Sequence, residues 1–243
     1  MKNLLTALLI FATTAAFTNN FCDCDNDWDL DIPWKHSKFN GHFEGIEIGL
    51  NTFVNKDFQT ELPVNYSFLE LNTGKSWGVN LNIAETNFAL VGKTLGLTTG
   101  LKFQFNNYRF DNNITLNQDS TVIWYTEETT VTYAKTKLTN TYLLVPLMLE
   151  FHFPGDDKLH LAVGAEAGIK IGSHTKTMYK DDGKKIKDKE RKDFYLSPFR
   201  YNAVAKIGYD DLSVFLNYSL ETMFEKDRGP ELYPLMVGIA FNF

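Results

Sequence analysis

Along most of the chain apolar and polar residues alternate with a period of two, the spacing of strands that keep one apolar face. In GHFEGIEIGL (41–50), Ile46, Ile48 and Leu50 share a face against Gly45, Glu47 and Gly49. In SWGVNLNIA (76–84), Trp77, Val79, Leu81 and Ile83 oppose Gly78, Asn80, Asn82 and Ala84. In LGLTTGLKFQF (95–105), Leu95, Leu97, Leu101, Phe103 and Phe105 oppose Gly96, Thr98, Gly100, Lys102 and Gln104. TYLLVPLMLEFHF (141–153) sets Leu143, Val145, Leu147, Leu149 and Phe151 against Leu144, Pro146, Met148 and Glu150. The cleanest run sets Leu159, Leu161, Val163, Ala165, Ala167, Ile169 and Ile171 against His160, Ala162, Gly164, Glu166, Gly168 and Lys170. Three more runs follow, centred on Tyr201–Tyr209, Leu212–Leu220 and Tyr233–Phe243. The total is eight strands, the even number that bacterial outer-membrane barrels use.

The connections also alternate. Short turns are expected near 86–93, at Pro154–Asp157 and at Asp210–Asp211, and long polar loops at 51–75, 112–137, 173–195 and 221–232. Short periplasmic turns and long extracellular loops are the outer-membrane pattern. An eleven-residue strand tilted near 40° spans roughly 28 Å, enough to cross the apolar band. The apolar window YLLVPLMLEFHF (142–153) is too short for a membrane helix and holds Pro146, Glu150 and His152. A membrane crossing must therefore be made by a closed barrel, which leaves no strand edge unpaired in lipid.

A soluble barrel alternates too, but its water-facing side should be rich in Lys, Glu and Thr. Here that side carries mainly Gly, Asn, Ala and Ser, which suit the cramped interior of an eight-stranded barrel. The opposite face places Trp77, Phe105, Phe151, Tyr201, Tyr209, Tyr233 and Phe241 toward strand ends, as headgroup-level aromatic girdles do. The expected fold is all-β: an eight-stranded antiparallel transmembrane β-barrel in the cell outer membrane. The inward face would carry Glu47, Lys102, Glu150, Glu166, Lys170, Arg200 and Lys206. Charges in a narrow lumen must pair or stay hydrated. An ion-paired plug is expected in preference to a conduit.

Composition adds targeting and excludes some functions. With 44% hydrophobic and 14% aromatic residues the chain can fold, and its net charge of −6 gives no basic footprint for nucleic acid. Lys2, then the apolar stretch Leu4–Phe17 and the small residues Thr14 and Ala16, form a secretory signal peptide at 1–16. An acidic N-terminal tether (17–41) and the barrel (42–243) follow. A lipoprotein reading would acylate Cys22, but Phe21 stands where a small residue is needed, and Cys22 and Cys24 are too close in sequence to staple a domain.

No catalytic, cofactor or metal residues are expected. Asp23, Asp25, Asp27, Asp29 and Asp31 recur every second position, but Trp28 replaces the glycine an EF-hand loop needs, so they read as a solvated leader. His36, His42, His152, His160 and His174 lack metal spacing. Ser173 and His174 are adjacent, so in a strand they point to opposite faces and make a poor nucleophile–base pair. The mixed charges of 173–195 read as a solvated hairpin tip, with surface lipopolysaccharide as the alternative contact.

The segments FNGHFEGIEIGLN (39–51), GLTTGLKFQFNNYRFD (96–111), LTNTYLLVPLMLEF (138–151), IGSHTKTMY (171–179), LSPFRYNAVAKIGY (196–209) and GPELYPLMVGIAF (229–241) resemble the Bacteroidota outer-membrane β-barrel family known as PorT-like or porin family. The resemblance covers nearly the whole mature chain and implies no catalytic residues and no cofactor. One member is tied to type IX secretion. The resemblance also implies that the terminal aromatics Phe241 and Phe243 are read by the barrel insertion machinery. The expected role is structural: a surface-loop scaffold or accessory of a larger outer-membrane complex, with outer-membrane lipid and other outer-membrane proteins as partners. A small-solute channel and a lipid-modifying enzyme are the competing roles.

Overall fold

The computed structural model describes residues 39–118, 121–181 and 184–243. The expected signal peptide, nearly all of the acidic tether, both cysteines and His36 lie outside them.

The strands are β1 (Gly45–Val54), β2 (Trp77–Val91), β3 (Leu95–Arg109), β4 (Ile114–Asn117), β5 (Trp124–Glu127), β6 (Lys135–Phe153), β7 (Asp156–Asp181), β8 (Lys184–Glu190), β9 (Phe199–Tyr209), β10 (Leu212–Ser219) and β11 (Tyr233–Asn242). Eight of them form a closed antiparallel ring in the order β1-β2-β3-β6-β7-β9-β10-β11, and β11 returns to β1. Closure satisfies every edge, which a strand crossing lipid requires. β8 extends the wall beside β7, and β4 and β5 make a separate hairpin.

The two faces separate as the alternation predicts. Along β7, Val163 is 46% exposed and its neighbour Ala162 only 3%; along β9, Ile207 is 53% exposed and Val204 only 5%. Ile46, Ile48, Leu81, Leu147, Leu149, Val214, Val237 and Ile239 continue the exposed apolar belt around the ring. A water-soluble protein rarely exposes so large a contiguous apolar surface, whereas lipid covers it without cost.

The inner turns are tight. Gly92 and Gly155 take positive φ in the β2–β3 and β6–β7 turns, and Asp210 does so between β9 and β10, a conformation Asp tolerates. The turn expected at 86–93 is corrected: β2 runs on to Val91. A bulge between Ile83 and Thr86, with Ala84 at φ +56°, flips the parity, so that Phe88 continues the outward face begun by Ile83. The long loops are corrected as well. Strand β1 extends through Val54, the 112–137 stretch contains β4 and β5, and most of 173–195 is the paired hairpin of β7 and β8.

The outer loops share an apolar core. The 3-10 turn at Val64–Leu69 contributes Phe68 and Leu69, β4 contributes Ile114 and Leu116, and the later loops contribute Ile123, Phe194, Leu196, Met223, Phe224 and Leu232. All are at most 5% exposed. Backbone hydrogen bonds knit the separate loops together: Ile123 N–H donates to Arg228 O at 2.7 Å and Ser197 N–H to Met223 O at 2.9 Å. Phe194 and Tyr195 hold left-handed φ values of 54° and 51°, and Phe194 N–H donates to Gln118 Oε1 at 3.1 Å. Such strain persists only where the surroundings fix the backbone, as this cap does.

Candidate functional site

The lumen is filled from wall to wall at mid-height. At that level strands β1, β3, β7 and β9 contribute Glu47, Lys102, Glu166 and Lys206. Lys102 Nζ lies 3.0 Å from Glu47 Oε2 and 2.5 Å from Glu166 Oε1, and Lys206 Nζ lies 2.7 Å from Glu47 Oε1. The chain Lys206–Glu47–Lys102–Glu166 alternates in sign and is neutral. Amides complete each carboxylate: Asn80 and Asn82 donate to Glu47 at 2.7 and 2.9 Å, and Asn202 and Asn217 donate to Glu166 at 3.0 and 2.9 Å. All four charged groups are at most 3% exposed. Burial of ions is tolerable only with this degree of pairing and hydrogen bonding.

Of the seven expected lumen charges, the fold brings these four into direct contact and distributes the other three. Arg200 stands toward the outer end, with its guanidinium 4.4 Å from the centre of the Tyr142 ring and one nitrogen donating to Ser219 Oγ at 3.1 Å. Lys170 reaches the outer rim, where it donates to Leu196 O and pairs with Asp193. Glu150 sits at the inner mouth.

That mouth is occupied by residues 39–43, just ahead of β1. Phe39 is 6% and Phe43 3% exposed. Each ring lies in a socket left by a missing side chain on β3. A Cβ at Gly96 would stand 2.4 Å from the Phe39 ring, and one at Gly100 would stand 2.7 Å from the Phe43 ring. The Phe43 ring lies under the ionic chain, 5.7 Å from Lys102 Nζ and 5.8 Å from Lys206 Nζ, within range of cation–π attraction. Glu85, on the bulge of β2, accepts from the backbone N–H groups of Phe43 and Glu44, both at 2.7 Å. Glu150 accepts from His42 Nδ1 at 2.6 Å and from His152 Nε2 at 2.8 Å, and also from the His42 backbone N–H at 3.1 Å. Sequence reading placed Glu150 in the lumen, but it gave Phe39, His42, Phe43 and Glu85 no role there. The available signal was Gly96 and Gly100 on the inner face of one strand, space that a bulky side chain from elsewhere in the chain can fill.

At the outer end the register sorts a mixed-charge sequence by face. Directly paired residues share a face. Lys137, Lys176 and Lys189 stand in one row across β6, β7 and β8, Lys135 and Lys187 flank Met178 in the next, and Lys180 pairs with Lys185. Arg109 continues the first row on β3. Asp188 and Glu190 pair instead with Thr177 and Thr175, on the opposite face. The outward wall above the apolar belt is therefore cationic. There, burial and the charges of Lys135, Lys176 and Lys189 hold the Lys137 ammonium down to about 8, and burial with the nearby Lys189, Lys137, Arg191 and Lys176 holds His174 down to about 4. Ser173 donates to Lys192 O at 2.6 Å, and the strand alternation points it away from His174.

Phe241 lies on the exposed outward face of β11, and the exposed Phe243 donates its backbone N–H to Glu44 O at 3.1 Å.

The family described as outer membrane protein beta-barrel domain matches over residues 44–225. Among curated proteins none matches. Among solved structures, the chain is similar to Ail, the attachment invasion locus protein of Yersinia pestis, at 12% identity and a TM-score of 0.31, over 82% of this chain and 99% of that one. A second structure of Ail, in complex with the heparin analogue sucrose octasulfate, gives 14% identity and a TM-score of 0.34 over the same shares.

Proposed function

Since this chain belongs to the outer-membrane β-barrel domain family and resides in the outer membrane, we propose that it is a non-conducting scaffold that holds a rigid loop platform at the cell surface. The observation that carries this reading is the triple filling of the bore: an aromatic segment at the inner mouth, a neutral ionic chain at mid-height and an apolar loop core at the outer end. An eight-stranded barrel has little interior to begin with. What remains for function is the surface, where the buried loop core holds the loops in place and the cationic wall of β6, β7 and β8 faces outward. A preorganised surface of this kind lowers the ordering cost of binding. The partner in this reading is another component of an outer-membrane assembly that presents acidic groups to the hairpin. Export by the 1–16 signal peptide, insertion guided by Phe241 and Phe243, and the absence of enzymatic activity complete the proposal. PorT-like specificity belongs to it too, on the resemblance of the quoted segments.

Two measurements test it together. In planar bilayers the purified chain should give no stable single-channel steps; reproducible steps would instead establish a small-solute channel. In cross-linking from native membranes, a defined set of outer-membrane proteins should co-purify with the chain. Reversal of Lys185, Lys187 and Lys189 to Glu should remove that set while the barrel still assembles. Retention of the same set by the reversed hairpin would sink the docking surface.

A further inference from the structure

We propose that His42, Glu150 and His152 form a binding site for a zinc-class transition-metal ion at the periplasmic mouth, a clasp that pins the N-terminal segment to β6. His42 and Glu150 are 108 positions apart, yet His42 Nδ1 lies 2.6 Å and His152 Nε2 lies 2.8 Å from the same oxygen of Glu150. All three donor atoms fall within 4.8 Å of one another. Two imidazoles and one carboxylate are a borderline-soft set that suits Zn²⁺ and its neighbours better than Ca²⁺ or Mg²⁺.

The rings are already oriented. His42 stacks on His160 with centroids 3.9 Å apart, and His152 stacks on Phe39 at 4.6 Å. His160 is held in turn by Ser213, 3.0 Å from its Nε2. Partners that fix ring orientation behind the ligand atoms are a recurring part of metal sites. Glu150 and His152 are buried, and the His42 side chain keeps 18% of its surface exposed, so an ion would enter past it.

A carboxylate only accepts, so each histidine now presents an N–H to Glu150. On metal binding that proton leaves the ligating nitrogen, for the ring's other nitrogen or for solvent, and the freed lone pair goes to the ion. Tetrahedral bonds of about 2.0–2.2 Å separate ligand atoms by roughly 3.3 Å, so Glu150 must withdraw by less than about an ångström and the two histidine nitrogens, within 4.8 Å of one another, must also settle to that spacing. Water fills the remaining position. The ion would tie the segment carrying Phe39 and Phe43 to the barrel wall. The site stands independently of what the outer surface binds, since the two lie at opposite ends of the barrel.

The test uses the tag-free full chain, purified in detergent, stripped with a chelator and titrated with zinc chloride by calorimetry. One zinc per chain is expected. His42→Gln and Glu150→Gln should each weaken binding about tenfold or more, whereas His174→Gln, at the outer end, should leave it unchanged. His42 lies outside the barrel strands, so its variant tests the site without risking closure of the ring. Zinc should also slow amide exchange in residues 39–44 of the native chain, and should not do so in His42→Gln. No saturable zinc binding, or binding indifferent to both His42→Gln and Glu150→Gln, would overturn the site.

Discussion

The two ends of the barrel are sealed by different means. The outer end is closed by an apolar core drawn from several loops, including Phe68, Leu116, Phe194 and Phe224, with backbone hydrogen bonds crossing between loops. The inner end is closed by one short segment, seated by two aromatic rings, the carboxylates of Glu85 and Glu150, and two histidines. A seal shared among loops must open cooperatively, because each loop is part of the packing of the others. A seal made by one segment can open locally while the ring stays intact. The outer end is thus knit together from several loops, whereas the inner end hangs on one segment.

The sharpest way to break this comparison is a matched pair of truncations. Phe224→Ala removes a fully buried ring of the outer core and should cost about 3–5 kcal/mol of stability. In chemical unfolding this should be accompanied by simultaneous new protease cuts in several outer loops. Phe39→Ala should instead raise amide exchange in 39–44 alone and leave the unfolding midpoint of the barrel nearly unchanged. Equal losses of global stability would show that both ends are parts of one cooperative unit.

The next effect concerns the wall that separates the two ends. Val163→Arg puts a charge on the lipid face and should cost about 2–4 kcal/mol near the midplane. Folding into lipid vesicles against a urea gradient would measure it. The smallest effect is expected one residue away: Ala162→Ser points into the lumen and should change that curve by less than about 1 kcal/mol. Similar costs at the two positions would undo the assignment of faces.

The ring and its faces were legible in sequence because a period of two survives wherever one face meets lipid and the other a polar lumen. Legibility stopped where that period broke. The bulge at Ala84 shifts Phe88 onto the face of Ile83, so the second half of β2 read as a turn. The irregularity in β7 between Lys170 and Gly172 likewise shifts the outward face from Ile171 to His174 and Lys176, so a regular hairpin read as a polar loop. Its charges looked mixed because their sorting depends on register, not on spacing along the chain. Alternation put seven charges on one face of the strands, but it could not give their partners. Lys102 pairs with residues 55 and 64 positions away, and no local pattern encodes that closure. The outer core was visible only as scattered aromatics in segments that otherwise resembled solvated loops. The histidine site was invisible for a similar reason: spacing rules detect ligands on one element, and His42 and His152 come from different ones.

The pairing of β1 with β11 joins the first strand of the ring to the last. The stopper at 39–43 directly precedes β1, and Glu47, which anchors the ionic chain, lies on it. Until β1 meets β11, the bore has an open side and Lys206, on β9, stands apart from Glu47, although Lys102 on β3 can already reach that carboxylate through the pairing of β1 with β2. Closing the seam is therefore what completes the ionic chain, and a barrel arrested just short of it would keep Lys206 without its carboxylate.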